Sequence, residues 1–419
     1  MRFLHAADIH LDSPQAGMTR RDPELARLTA SSTRDAFGNL VDAAIANDVA
    51  FLLIAGDLYD TEQRNYETGL FFAREMQRLG RPCIMIHGNH DSAAQITKSL
   101  QPPPNVTVLP SRRPGQVALP EHGVVVHGQS FAAQAEADDL AARYPDPVPG
   151  AFNIGLLHSS VEDPGDHARY APCRVETLVN KNYGYWALGH IHTRATLHEH
   201  PHIHFPGNTQ GRHVRETGPR GATLVDVADG IVQSLTPVAT DVLRWAVLRL
   251  DISGVETLAE LAARLRFALA EARLAAEGRP LIARVVLTGA TLLHAALLAQ
   301  PGLIDAECRA AAEAAGPDVH IERAKLQTRP AGGAADFGAL EEAVRAALAD
   351  PGLVAGLLTD FARLGAAIPS GATAEVPHTE AGLAALQDDA WSLIRHALEE
   401  GGPVSPVAGP GSAATGPAA

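Results

Sequence analysis

Asp8, His10, Asp57, Asn89, His158, His190 and His192 are of the types that hold divalent cations, and they come in short clusters. These read "DIH" at 8–10, "GDLYD" at 56–60, "GNHD" at 88–91 and "GHIH" at 189–192, while His158 ends the run "FNIGLLH". Imidazole nitrogens mixed with carboxylate and amide oxygens suit Mn²⁺, Fe²⁺ or Zn²⁺ rather than an all-oxygen Ca²⁺ cage. Asp-x-His and His-x-His each set two ligands on one side of an extended segment, and Asp57 can bridge two ions through its two oxygens. Only Asp8 and Asp57 are anionic, so two divalent ions leave about two positive charges in the cleft. Ions ~3.5–4 Å apart can clamp a phosphoryl group and activate water for in-line attack. His90 is the candidate to protonate the leaving oxygen, with Asp60 holding its other ring nitrogen. Asp91 is expected to support the ligands from behind. Turn residues and buried histidines account for any one cluster, but not for every position being filled at once.

Each cluster follows an apolar run: "FLHAA", "AFLLIA", "CIMIH", "FNIGLL" and "YWAL". Sites in α/β sheets form outside the carboxyl ends of strands, so these ends can converge on one cleft. The first part alternates strand and helix: "MRFLHAAD", Ser31 to Val49, "AFLLIAG", "NYETGLFFAREMQRLG", "PCIMIHG" and "SAAQITKSL". That pattern predicts a largely parallel sheet. After Pro102-Pro103-Pro104 short strand-like runs dominate, with helix expected only at "AEADDLAARY" and "RVETLVN". Two sheets packed together with helices outside follow from this change, forming a catalytic domain over 1–240. "LRWAVLRLDI", "LIARVVLTG" and "VHIERAKLQ" read as strands separated by helices, a small α/β domain at 241–328. "TRPAGGAAD" reads as a linker. Residues 337–400 hold Ala/Leu-rich helices, and the Gly/Pro/Ala-rich stretch 401–419 is expected to be disordered.

The chain has 419 residues, too many for one ordinary core. Its net charge of −14 argues against a broad basic surface for nucleic acid, and bound cations can supply the positive charge for an anionic substrate. Cys83, Cys173 and Cys308 form no CxxC pair and no disulfide framework, which fits a reducing cytoplasm. The first apolar run is too short for a signal peptide, and no run approaches a membrane span. A soluble cytoplasmic protein is therefore expected. His5 and His87 read as core or supporting groups. His198, His200, His202 and His204 more simply decorate strands and a turn than form a third metal site. In "GNTQGRHVRE", Asn208 can shape the cleft while Arg212 and His213 contact phosphate, the alternative being a charged surface loop.

Together, "DIH…GDLYD…GNHD…H…GHIH" resembles the calcineurin-like metallophosphoesterase superfamily, over roughly the first half of the chain. "DIHLDSP" and "HFPGNTQGRHVRE" are similar to the bacterial SbcD/YhaO-type DNA repair exonucleases, relatives of the Mre-type nuclease. The resemblance implies a four-layer α-β-β-α sandwich, a small α/β capping domain that orients DNA, and a helical C-terminal region that docks a partner. It also implies Mn²⁺-dependent DNA cleavage, 3′-directed or end-processing, by a homodimer that works with an SMC-like ABC ATPase. The rival readings are a phosphoesterase acting on small phosphodiesters, nucleotides or phosphoproteins, and a non-catalytic subunit that uses the fold for binding alone.

Overall fold

The computed structural model describes residues 1–13, 23–60, 65–93, 101–162 and 171–331, and in the C-terminal part 342–343, 345–346, 349–367, 377 and 379–399. Strands β1 (Arg2–Ala6), β2 (Phe51–Ala55), β3 (Cys83–Ile86) and β4 (Val106–Val108) pair in parallel. Buried strands of this kind need an apolar residue at every position, which is why "FLLIA" and "CIMI" read as unbroken runs. Phe51, Leu53 and Ala55 turn to one face, with Phe3, Ile84 and Ile86. Leu52 and Ile54 turn to the other.

Helices α1 (Pro23–Ala30), α2 (Ser32–Ala46) and α3 (Tyr66–Leu79) follow in chain order. Phe37, Leu40 and Val41 of α2 and Phe72 and Met76 of α3 cover the Leu52–Ile54 face. The bounds of α3 have local causes. Asn65 Oδ1 accepts from the Glu67 N–H at 3.0 Å, and Gly80 takes the left-handed conformation at φ 61. A short helix α4 (Asn89–Ala93) starts at the "GNHD" cluster. The rest of the helix expected at "SAAQITKSL" lies outside the described residues.

The second sheet runs β5-β6-β7-β8-β10-β9, from β5 (Gly115–Leu119), β6 (Val124–Gly128), β7 (Phe152–His158), β8 (Tyr185–Gly189), β9 (Ala195–Glu199) and β10 (His202–Phe205). Val124, Val126, Ile154, Leu156, Tyr185 and Ala187 pack against the Phe51 face of the first sheet. On the outer side Leu157, Trp186 and Leu188 pack with Tyr144 and with Leu178 of α5 (Val175–Asn180). Two sheets face to face, helices outside, is the expected sandwich.

Two features of these two sheets and their connections differ from expectation. The helix expected at "AEADDLAARY" is only a 3₁₀ turn at Ala141–Arg143. Asp139 Oδ1 takes the Ala142 N–H, and Tyr144 turns inward to donate to the Leu156 carbonyl at 2.7 Å. A local cap and a tertiary anchor override propensity there. Strands β11 (Gly221–Ala228) and β12 (Ile231–Ala239) form a hairpin that joins the first sheet antiparallel to β1, with Arg2 opposite Asp226.

Further along lie β13 (Arg244–Asp251), α6 (Leu258–Ala275), β14 (Leu281–Thr291), α7 (His294–Ala299), α8 (Pro301–Ala315) and β15 (Val319–Pro330). The strands form a three-stranded sheet in the order β13-β14-β15. β15 runs on through Thr328-Arg329-Pro330, where a linker was expected. Helices α9 (Pro351–Ala367) and α10 (Glu380–Glu399) complete the described chain. The chain divides into two compact units, one of Met1–Val247, Ala270–Arg284 and Pro317–Glu322, the other of Leu248–Leu269, Val285–Gly316 and Arg323–Ala419. Among the described residues no helix is long and apolar enough to cross a membrane.

Candidate metal centre

The turns after β1 and β2 are zipped together. Asp8 N–H donates to the Gly56 carbonyl, and Ile9 and His10 N–H both donate to the Asp57 carbonyl at 2.9 and 3.0 Å. On these turns Asp8, His10 and Asp57 take positive φ, at 52, 48 and 53, and His190, directly after β8, does so at 99. Non-glycine residues held there carry strain of roughly 1–3 kcal/mol each and cluster at functional sites. The glycines beside them are needed for a different reason, which is close approach. A Cβ on Gly88 would run into Asp57 Oδ1, and one on Gly189 into the Ala55 carbonyl. Asp91 is wholly buried behind these turns. It accepts the N–H groups of Tyr59 at 2.8 Å, Gly88 at 3.1 Å and Leu58 at 3.2 Å, pinning the turn after β2 to the turn after β3.

Three overlapping groups have their candidate ligand atoms within 4.8 Å of one another: Asp8, His10 and His192; Asp8, Asp57 and His158; His10, Asp60 and His90. Asp57 Oδ2 lies 3.8 Å from His10 Nε2 and 3.5 Å from His158 Nε2, between the two halves of the centre. His158 Nδ1 meets the Ala55 carbonyl at 2.9 Å, which turns Nε2 inward, where it is 2.9 Å from Asn89 Oδ1. His192 Nε2 is 3.8 Å from Asp8 Oδ1. His190 belongs to none of the three groups; its N–H donates to both oxygens of Asp8 at 3.0 Å, and its ring lies edge-on to His158. His90 Nδ1 pairs with Asp60 Oδ1 at 2.8 Å, and the His90 N–H donates to Asp57 Oδ1 at 3.0 Å.

This donor set fits divalent cations. His10 is fully buried, yet neither of its ring nitrogens makes a hydrogen bond. A buried polar atom without a partner is costly unless something fills its place. Burial, and then Asp57 nearby, push the Asp8 carboxyl well above the ordinary range; burial likewise raises Asp57. Burial lowers His10 and His192, and lowers His158 to about 4, so the imidazoles are neutral, the form that ligates. For His90, burial works downward, but the Asp60 hydrogen bond and the charge of Asp57 outweigh it and the pKa is raised.

Asn208 is wholly buried and Arg212 half-buried; His213 is exposed. Arg212 Nη1 donates to Ser13 Oγ at 3.1 Å and lies 3.5 Å from Asp60 Oδ2, which brings it to the rim beside His90. Glu216 is part of the site and escaped the sequence reading. Its Oε1 is 2.6 Å from His192 Nδ1, and although burial works upward, His192 and Arg212 bring its pKa down to about 2. In "RHVRE" it reads as one more surface charge, and only the fold reveals it as buried. His5 is a core residue, held by Tyr185 Oη and the Leu188 carbonyl. His204 is held between Thr196 and Thr223, and His198 meets the Pro201 carbonyl. Among the described residues this row joins no cluster of metal-ligand type.

Residues 1–194 match the calcineurin-like phosphoesterase family, and residues 245–329 match the middle domain of metallophosphoesterase YhaO. The uncharacterized metallophosphoesterase YhaO of Bacillus subtilis is 35% identical over 300 residues, covering 69% of this chain and 72% of that protein. The chain belongs to the YhaO-type calcineurin-like metallophosphoesterases. More distant relatives are DNA double-strand break repair proteins Mre11. Those of Sulfurisphaera tokodaii and Sulfolobus acidocaldarius are 25% and 24% identical, covering 61% of this chain in each case and 66% and 68% of the relatives. As a metallophosphoesterase the chain is a hydrolase of phosphoester bonds, of a family that uses divalent metals.

Proposed function

We propose that this metallophosphoesterase is a Mn²⁺-dependent DNA nuclease of DNA repair, a 3′-directed exonuclease or end-processing enzyme. The observation that carries the reading is Asp57 Oδ2 set between His10 Nε2, at 3.8 Å, and His158 Nε2, at 3.5 Å, with the His90–Asp60 pair at the rim of the same centre. Asp8, His10 and His192 would hold one cation and Asn89, His158 and His190 the other, with Asp57 lying between the two sets. Bound cations supply Lewis-acid polarisation of the phosphoryl oxygen and lower the pKa of water. Asp60 engages His90 Nδ1, so Nε2 delivers the proton to the departing oxygen. Arg212 and His213 meet the phosphates flanking the scissile one, and Asn208 shapes the loop that carries them. DNA as substrate is supported by the Mre11 relatives, whose names state break repair. On the resemblance, residues 241–328 orient the DNA, α9 and α10 dock the coiled coil of an SMC-like ATPase, and two copies associate. The three cysteines, all buried and unpaired, accord with a cytoplasmic setting.

The test is degradation of end-labelled duplex and single-stranded DNA with Mn²⁺, by wild type, His90→Ala and Asp57→Ala. Cleavage by wild type that both substitutions abolish is the expected result. A second reading, action on small phosphodiesters, is favoured by the net charge of −14. Metal-dependent hydrolysis of a small diester with DNA left intact, alone and with the ATPase, would select it.

A further inference from the structure

One loop grips His192 at both its ring and its backbone. Glu216 Oε1 pairs with His192 Nδ1 at 2.6 Å. The other oxygen, Oε2, accepts from the Arg212 N–H at 2.7 Å and from Asn208 Nδ2 at 3.0 Å. Arg220 Nη1 donates to Asn208 Oδ1 at 3.1 Å and also to the His192 carbonyl, which accepts the Asn208 N–H as well, at 3.3 Å. Gly207 packs so closely there that a Cβ would come 2.9 Å from the His192 carbonyl oxygen. Glu216 is 5% exposed, so water does not substitute for these partners.

An imidazole offers Nε2 to a cation when Nδ1 keeps the proton and the ring stays oriented. Glu216 meets both conditions, and its second oxygen ties them to the backbone of the loop that carries Arg212 and His213. We propose that Glu216 is a positioning residue that couples cation binding at His192 to the ordering of loop 208–216. The cation site and the loop then form as one unit. Linkage is reciprocal: the factor by which a cation firms the loop is the factor by which a firm loop tightens the cation. The coupling rests on the chain being a metal-dependent phosphoesterase and is independent of DNA being the substrate.

The test uses the full chain stripped of metal by chelation. Amide hydrogen exchange is followed in peptides covering 208–216 with and without Mn²⁺, and Mn²⁺ affinity is measured by calorimetry. In wild type, Mn²⁺ should slow exchange across 208–216. Glu216→Gln keeps the size of the side chain, but an amide cannot accept on both sides. It should bind Mn²⁺ about 10–100-fold more weakly and lose the slowing even at saturating Mn²⁺. The wild-type exchange needs no variant: if Mn²⁺ protects the segment around His192 and leaves 208–216 unchanged, the coupling is overturned. It is equally overturned if folded Glu216→Gln binds Mn²⁺ with wild-type affinity. Loss of DNA cleavage with these results intact would strike the nuclease reading alone.

Discussion

Asp8 and Asp57 put two carboxylates into a buried space, at a cost that lasts until cations arrive. Both carboxyls are pushed up. For an acid whose pKa rises on folding, the group's contribution to stability is best below the ordinary carboxylate range and falls as pH rises through the folded value. The metal-free protein carries more of that cost as pH rises. Asp57→Asn removes one charge and keeps an oxygen for the His90 N–H. In chelator at pH 7 it should melt at a higher temperature than wild type, and Mn²⁺ should raise the melting temperature of wild type but not of the variant. A variant that melts below wild type in chelator would refute the buried-charge argument. His90→Ala should lower kcat on a small phosphodiester by about 10²–10⁴-fold with Mn²⁺ affinity kept, the signature of a proton donor that is not a ligand; weaker Mn²⁺ binding would make it a ligand. The residue types of this centre are legible in the sequence because each follows a strand. Their left-handed backbone is not, because Asp and His stand where a reader looks for Gly.

Among the elements, the three N–H groups gathered by Asp91 decide whether the turns after β2 and β3 stay in register. Asp91→Ala strands all three donors in the interior. At ~1 kcal/mol or more for each unsatisfied group, unfolding free energy should fall by at least ~3 kcal/mol in urea titration of the chelated protein. Asp91→Asn keeps an acceptor and should lose less; a loss under ~1 kcal/mol for Ala would show that water replaces the carboxylate. The runs "FLLIA" and "CIMI" announce their strands because both faces are buried. Helix α3 announces itself through Asn65, Gly80 and the spacing of Phe72 and Met76. The 3₁₀ turn at Ala141–Arg143 is invisible in sequence, because the anchor of Tyr144 is the Leu156 carbonyl, twelve residues away. Helix α1 and the reach of β15 to Pro330 were likewise unmarked.

Over the whole molecule the net charge of −14 makes cations the main attraction for any polyanion. Duplex DNA binding, followed by fluorescence anisotropy near physiological salt, should vanish in chelator and return with Mn²⁺; binding that persists in chelator would point to a basic surface instead. The two packed sheets were legible from the shift between an α/β part and a strand-rich part. The place of β11 and β12 was not, since "GATLVDV" names a strand but no partner, and its partner β1 lies more than two hundred residues earlier. That pairing sets a timetable for synthesis. β1 leaves the ribosome first, yet its β11 side stays open until residues 221–228 have been made. At about 5–20 residues per second the wait is roughly 11–45 s. A nascent chain halted after the "GHIH" cluster would hold every proposed cation ligand and still show a bare strand edge. Ribosomes stalled in that interval, more than the finished enzyme, are where this chain would call on chaperones.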